Sequence, residues 1–172
     1  DPASEIPLAA LAMDAHVSLA SVTGTRQVAL ADFFLGPMMT ARRDNEILLS
    51  VHFPKAPGGV RTGAAFCEVS ERRGDFAVVA AAARVQLDAG GVCTAAALAI
   101  GGVDGVPRRI TGLETRLLGG RVDQSGIQAA LPEIADAITP GGDQHASAGY
   151  RRRVAGVLAE RALLEAVTEA EQ

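Results

Sequence analysis

The side chains best suited to meeting a ligand lie closest together in the stretch Glu71-Arg72-Arg73-Gly74-Asp75-Phe76-Ala77. Two arginines, a glycine and an aspartate followed at once by an aromatic make a compact polar presenter with one flat apolar ring, Phe76. That combination suits a planar ligand with polar edges. The flanking segments 63–70 and 77–87 both read as extended, so the charged link falls at a strand end, where loops on a rigid scaffold commonly carry function. No nucleophile with an adjacent base and no triad is visible in the sequence, and no catalytic side chain is expected. His16, His52 and His145 are dispersed, and Cys67 and Cys93 are too far apart to make a metal-ligand motif by themselves. Both cysteines read as small apolar strand fillers, and no metal site is expected.

The bulk properties narrow the class. A chain of 172 residues with 48% hydrophobic content can bury one good core or two small ones. The net charge of −4, with scattered signs, gives no basic stripe, and 3% aromatic residues leave few stacking platforms, which argues against nucleic-acid binding. No apolar run approaches the roughly 20 residues that span a bilayer. The opening Asp1-Pro2-Ala3-Ser4-Glu5 lacks the form of a signal peptide, so a cytoplasmic setting is expected. A chain that opens on Asp1 reads as processed or as a piece of something longer.

The elements that must position the loop follow from periodicity. Residues 1–13 hold two prolines and then an apolar run, Ile6 to Met13, which reads as an irregular lead-in to a packed segment. Residues 14–20 alternate, with Ala15, Val17 and Leu19 on one face, and 25–30 is the return strand of a hairpin. Ala31 to Phe34 reads as a short helical turn running into a loop at Gly36-Pro37, and 46–53 is a third strand with Ile47, Leu49, Val51 and Phe53 on one face. Pro54-Lys55-Ala56-Pro57-Gly58-Gly59 is the clearest boundary, because it disfavours both helix and ladder. Three strands follow, 63–70, 77–87 and 92–100, the last two joined by a tight turn at Asp88-Ala89-Gly90-Gly91. The alanines from Ala80 to Ala83 leave room for a helix or a second backbone to approach closely.

From Gly101 the period changes from two to three and four. Ile110, Leu113, Leu117 and Leu118 share a helical face, Thr111 with Glu114 has capping-box spacing, and Gly119-Gly120 ends the helix. Ile127, Leu131, Ile134 and Ile138 predict a second helix, kinked or restarted at Pro132. A final helix from about Ser147 to Ala170 is expected to bury Tyr150, Val154, Val157, Leu158, Leu164 and Val167. Arg151, Arg152 and Arg153 read as a solvated face, with a phosphate or a partner carboxylate as the alternative, since cations sit badly at a helix N-terminus. Strands followed by helices give an α+β fold. The division is 1–54, a linker at 55–60, and a domain over 61–172 whose three-stranded antiparallel sheet packs on three C-terminal helices. Residues 1–54 alone are a thin basis for a domain and look like half of something.

The order of landmarks resembles the flavoprotein (medium) subunit of molybdenum hydroxylases, the carbon monoxide dehydrogenase and xanthine dehydrogenase type. The landmarks are Asp1-Pro2-Ala3-Ser4-Glu5-Ile6-Pro7, Asp32-Phe33-Phe34-Leu35-Gly36-Pro37, Glu46-Ile47-Leu48-Leu49 running to Phe53-Pro54, and Gly63-Ala64-Ala65-Phe66. They continue with Arg73-Gly74-Asp75-Phe76-Ala77, Ile100-Gly101-Gly102-Val103 followed by Pro107-Arg108, and Tyr150-Arg151-Arg152. The resemblance covers essentially the whole chain. It implies that residues 1–54 are the C-terminal portion of a FAD-binding domain and 61–172 the C-terminal flavoprotein domain. In the family, glycine-rich loops hold the pyrophosphate of FAD, and neither loop is in this sequence, so the cofactor would be shared with an N-terminal half.

For single residues the resemblance implies the following. Glu5 falls where relatives use an acidic residue near the ribityl chain, and a carboxylate suits hydroxyl donors. Leu48 matches a position lining the isoalloxazine, though an ordinary core leucine would look the same. Asp75 and Phe76 match the loop against the flavin ring, with the aromatic covering one face. Cys67 stands where relatives have a lysine or a carboxylate, and Glu68 is the neighbouring alternative. The implied role is electron transfer from a molybdenum cofactor in a large subunit, through two-iron two-sulfur clusters in a small subunit, to FAD and an acceptor. The chain would be an oxidoreductase component, inactive when isolated. Two other readings stand beside this one: a non-catalytic scaffold or assembly fragment that binds no flavin by itself, and an unrelated α+β binding domain.

Overall fold

The computed structural model describes residues 3–72 and 74–172, so Asp1 and Pro2 of the first landmark and Arg73 of the charged loop lie outside the described residues. The apolar run near the start is a helix, α1 (Glu5–Ala12). Pro7 falls in its first turn, where a missing N–H costs no hydrogen bond, and this is why a proline-bearing lead-in still folds as helix. The predicted hairpin is present as β1 (His16–Ser21) and β2 (Gly24–Ala29), followed by a 3-10 turn at Leu30–Asp32. Two short strands, β3 (Phe34–Gly36) and β4 (Met39–Thr40), pair with each other where a loop was expected. The next strand, β5 (Ile47–His52), pairs with the free edge of β1, giving an antiparallel sheet in the order β2-β1-β5.

The second sheet holds β6 (Arg61–Val69), β7 (Val79–Leu87), β8 (Cys93–Gly101) and β9 (Arg108–Arg109), in sequence order and antiparallel throughout. Its fourth strand is two residues long, too short for alternation to announce it, and so the expected three strands become four. The helices are α2 (Thr111–Leu117), α3 (Gln124–Ala130), α4 (Pro132–Ala137) and α5 (Ala148–Ala170). Pro132 restarts rather than kinks its helix, as first residue of α4, and the expected three C-terminal helices become four.

β7 is covered on both faces. Val79, Ala81, Ala83, Val85 and Leu87 enter a core shared with α2 to α5, while Ala80 and Ala82 turn the other way, into a second core with Leu8, Leu11, Val17, Leu19 and Phe33. The alanine run does what small side chains allow: α5 approaches from one side and α1 from the other. At Gly63 the approach is tightest, since a Cβ there would run into the backbone of Ala166 and Ala170 in α5. The buried face of α5 is accordingly Ala155, Leu158, Ala159, Ala162, Leu163, Ala166 and Ala170. Of the expected set, Leu158 is fully buried and the others are not. Val157 is 51% exposed, and Tyr150, Val154, Leu164 and Val167 only flank the core. Large residues were favoured on hydrophobicity, whereas the closeness of the sheet favours small ones along the contact line, with Leu158 and Leu163 the two large side chains fully buried among the alanines.

Two ionic clusters fix the layers. Asp14, at φ +54, follows α1 and receives Arg84 from β7 and Arg109 from β9, the latter at 2.5 Å. Arg109 also donates to the Leu11 carbonyl at 3.1 Å and to both oxygens of Glu114 at 2.7 and 2.9 Å. Glu114 further accepts from the Leu98 N–H, so its carboxylate is committed to the sheet edge and the expected capping box with Thr111 does not form. In the first sheet, Glu46 takes both nitrogens of an Arg26 fork and the N–H of Arg43. Those bonds, Arg26 first and the amide second, hold its carboxyl down to about 2.

Candidate functional site

The loop between β6 and β7 is a turn with a narrow base. Val78 N–H donates to Val69 O at 2.8 Å, and Asp75 N–H donates to Arg72 O at 3.1 Å. Beyond this base Asp75 and Phe76 are presented outward. The Phe76 ring is 66% exposed. The Asp75 carboxylate is half exposed and lies 3.9 Å from Arg72 Nε, too long and too wet to fix either group. Together they stand at the rim of an open cleft of about 740 Å³. The residues following β8, Gly102 to Gly105, form one wall, and Thr139 with Gly141 to Asp143 forms another; Ala3 and Arg151 also line it.

Arg151 is the residue the sequence reading placed wrongly. It is buried at 8% exposure rather than solvated, while Arg152 and Arg153 are exposed. Its guanidinium donates to Val78 O at 2.5 Å, Gly102 O at 2.7 Å and Asp143 Oδ2 at 2.6 Å. The two carbonyls sit where β7 begins and just past the end of β8, beyond the last ladder pairs, so a fork of N–H donors replaces the missing sheet partners. Gly102, at φ +75, makes this closure possible, because a Cβ there would collide with Val78 O. Asp143 Oδ1 accepts from the N–H of His145 and of Ala146 at 2.9 and 3.0 Å. Arg151 first, and then those amides, hold its carboxyl down to about 2. His145 reaches back across the cleft end, its Nδ1 2.7 Å from Glu71 Oε1, and that carboxylate raises its pKa.

The other expected site residues divide. Glu68, on β6, is exposed, and both partial burial and the charge of Glu5 raise its pKa, so α1 and β6 bring these two carboxylates together. Cys67 faces the opposite side of the strand, as adjacent residues must. It packs against α5, its Sγ 3.6 Å from Glu165 Oε2, and burial followed by Glu165 pushes the thiol up to about 11. Phe66 shares the Glu68 face and is partly exposed. Alternation counted outward from Glu68 would have found it. Leu48 lies on β5, not in the cleft, and is no ordinary core leucine: it is 45% exposed, in a strand where Ile47, Leu49 and Val51 are exposed as well, with Phe53 exposed just beyond its end. Among the described residues no group of three or more His, Cys, Asp or Glu is placed to hold a metal ion, and no helix is long and apolar enough to cross a membrane.

These groups can be tested against FAD. A flat exposed ring beside a carboxylate fits the isoalloxazine, and the Glu5 and Glu68 carboxylates fit the hydroxyl donors of a ribityl chain. A pyrophosphate needs convergent N–H donors or cations. The cleft side chains contribute Glu71, Asp75, Asp104 and Asp143, and the donors of Arg151 that are described are committed to Val78, Gly102 and Asp143. Asp75 and Phe76 thus suit the ring, whereas Glu5 and Glu68 do not line the cleft, and the described cationic side chains of the cleft, Arg151 and His145, are committed to partners within the chain.

Comparison with known proteins gives the family. The family described as the CO dehydrogenase flavoprotein C-terminal domain matches residues 64–166, and the FAD binding domain in molybdopterin dehydrogenase matches residues 1–56. The 6-hydroxypseudooxynicotine dehydrogenase complex subunit alpha of Paenarthrobacter nicotinovorans is 32% identical over 170 residues, 99% of this chain and 57% of that protein. The glyceraldehyde dehydrogenase medium chain of Sulfolobus acidocaldarius is 30% identical over 96% of this chain and 57% of its own length. Among solved structures, reconstituted CO dehydrogenase from Oligotropha carboxidovorans superposes with a TM-score of 0.91 at 28% identity, covering 98% of this chain and 58% of that one. Quinoline 2-oxidoreductase from Pseudomonas putida 86 gives 0.88 at 30% identity, covering 100% and 59%. The chain spans a little over half the length of the relatives it matches.

Proposed function

Because this chain belongs to the CO dehydrogenase type of FAD-binding medium subunits of molybdenum hydroxylases, we propose that it is the ring-side part of such a subunit, completing a FAD site together with a further FAD-binding segment. The observation that carries the reading is the exposed Phe76 ring and Asp75 carboxylate at the rim of a cleft that also reaches Ala3, near the start of the chain. When bound, FAD would supply the redox chemistry, taking electrons that originate at a molybdenum centre and pass through iron–sulfur clusters in partner subunits, and yielding them to an acceptor.

The chain's own residues hold and tune. Phe76 covers one face of the ring and limits access to it, and Asp75 places a negative charge beside it. Glu5 and Glu68 accept hydrogen bonds from ribityl hydroxyls. Of the adjacent pair Cys67 and Glu68, Glu68 is the one on the open face. Leu48 and the exposed apolar residues of β5 offer a surface on which the FAD-binding segment can pack. The setting of the complex is cytoplasmic in this reading, and the isolated chain is inactive.

Calorimetry tests it. Residues 1–172 alone should bind FAD weakly or not at all, because the phosphate charge goes unmatched, and adding the FAD-binding half of a relative as a second chain should restore a bound yellow cofactor. Tight binding by the chain alone, or mixed halves that stay colourless, would count against the proposal.

A further inference from the structure

We propose that Arg151, Asp143, His145 and Glu71 form a latch that sets the pose of the Asp75–Phe76 loop and closes when His145 is protonated, with His145 and Glu71 acting as positioning residues. That the pose matters to a flavin rests on the function proposed above.

The latch grips the loop at both ends. At its exit, Val78 O is an acceptor of the buried Arg151 guanidinium. At its start, Glu71 Oε1 meets His145 Nδ1 at 2.7 Å, across 74 residues of sequence. Among the described hydrogen bonds and ion pairs this is the side-chain tie from the loop start to another element, since Ser70 and Asp75 bond only to Arg72 within the loop. The His145 side is rigidly mounted. Its backbone N–H donates to Asp143 Oδ1, and Asp143 Oδ2 accepts from Arg151, which is anchored on the ends of two core strands. The peptide that carries His145 is therefore fixed, and the imidazole meets Glu71 from a set position.

The electrostatics make the tie depend on a proton. The charged groups facing His145 are Glu71 from the β6–β7 loop, Asp143 from its own loop and Arg151 from α5, and the Gln144 amide lies 3.2 Å from its Nε2. The Glu71 bond is the largest influence, and the two carboxylates outweigh the guanidinium, so the pKa is raised. With a raised value, the ion pair is complete below the ordinary imidazole range and is lost as pH rises through the shifted one. The loop is thus held in acid and released in base.

The test uses the whole chain labelled with fluorophenylalanine, the Phe76 resonance being assigned by Phe76→Leu, alongside a proton titration of the His145 ring. Both signals should step at one midpoint above the ordinary imidazole value. Glu71→Gln should move the His145 midpoint down and abolish the Phe76 step, and His145→Gln should also abolish that step. Circular dichroism checks that both variants fold. Should His145→Gln fail to fold, Glu71→Gln decides alone, because it leaves the Asp143 bonds intact. A Phe76 signal that stays flat while His145 titrates, or a His145 midpoint at the ordinary value, overturns the latch. The separate reading is tested in the FAD-loaded assembly, where flavin emission should show the same pH step. If Phe76 steps and the flavin does not, the latch stands and the placement of the loop against the flavin falls.

Discussion

Two apolar surfaces in this chain have opposite fates. Along α5, a line of alanines and two leucines is fully covered by β6 and β7, so closely that Gly63 has no room for a Cβ. Along β5, large apolar side chains stand in solvent on both faces of the strand, Ile47 at 66% exposure among them. Hydrophobicity alone ranks the second surface higher. The difference teaches that what is finished here is decided by backbone proximity: small residues close a layer completely, while bulky ones without an opposing layer wait for one.

Substitutions can break this contrast. The largest effect is expected from Leu163→Ala, which empties a fully buried position and should cost about 2–5 kcal/mol in urea unfolding. Next is Arg151→Met, which leaves two strand-end carbonyls and Asp143 without their donor and should cost roughly 2 kcal/mol in the same assay.

Acid should then separate the two regions, because each holds a carboxyl at about 2, Glu46 in the first sheet and Asp143 beside α5. Both folded values are depressed. Their stabilisation is present above the ordinary values, 4.5 and 3.8, and is lost as pH falls from there through about 2. Circular dichroism should be level down to about pH 4.5 and decline below it, and Glu46→Gln should flatten only the part of the decline that belongs to the first sheet. A single transition altered throughout by Glu46→Gln would mean that the two regions stand or fall together.

The smallest effect is expected from Leu49→Ala on β5, within about 0.5 kcal/mol in the isolated chain. If Leu49→Ala cost as much as Leu163→Ala, the contrast would be false.

Much of the fold was legible in the sequence where one period ran long enough to count. The hairpin, the strand 46–53, and β6 to β8 follow from alternation, and Pro132 announced a break. β9 was not legible because two residues have no period. The face of α5 was misread because its contact line is set by the closeness of Gly63 and the β7 alanines, which lie about 70 residues or more away in sequence and become neighbours only in the fold. Arg151 was misread for a related reason: nothing in Tyr150-Arg151-Arg152-Arg153 reveals that two strand-end carbonyls converge on the first arginine alone. The candidate site was legible as a loop, Asp75 and Phe76, but its mounting was not, because Glu71, Asp143 and His145 meet only after the sheet and α5 have formed.

The position of β7 also has a meaning in time. It is paired along both edges, to β6 and β8, and roofed on both faces, so its amide protons should be among the last to exchange with heavy water. Its two roofs are unequal. α5 runs for 23 residues, whereas α1 runs for 8 and touches the sheet through the methyl groups of Ala80, Ala82 and Ala99. The amides of α1 itself should therefore begin to exchange while those of α5 are still protected, and the molecule would come apart in a fixed sequence, N-terminal layer first.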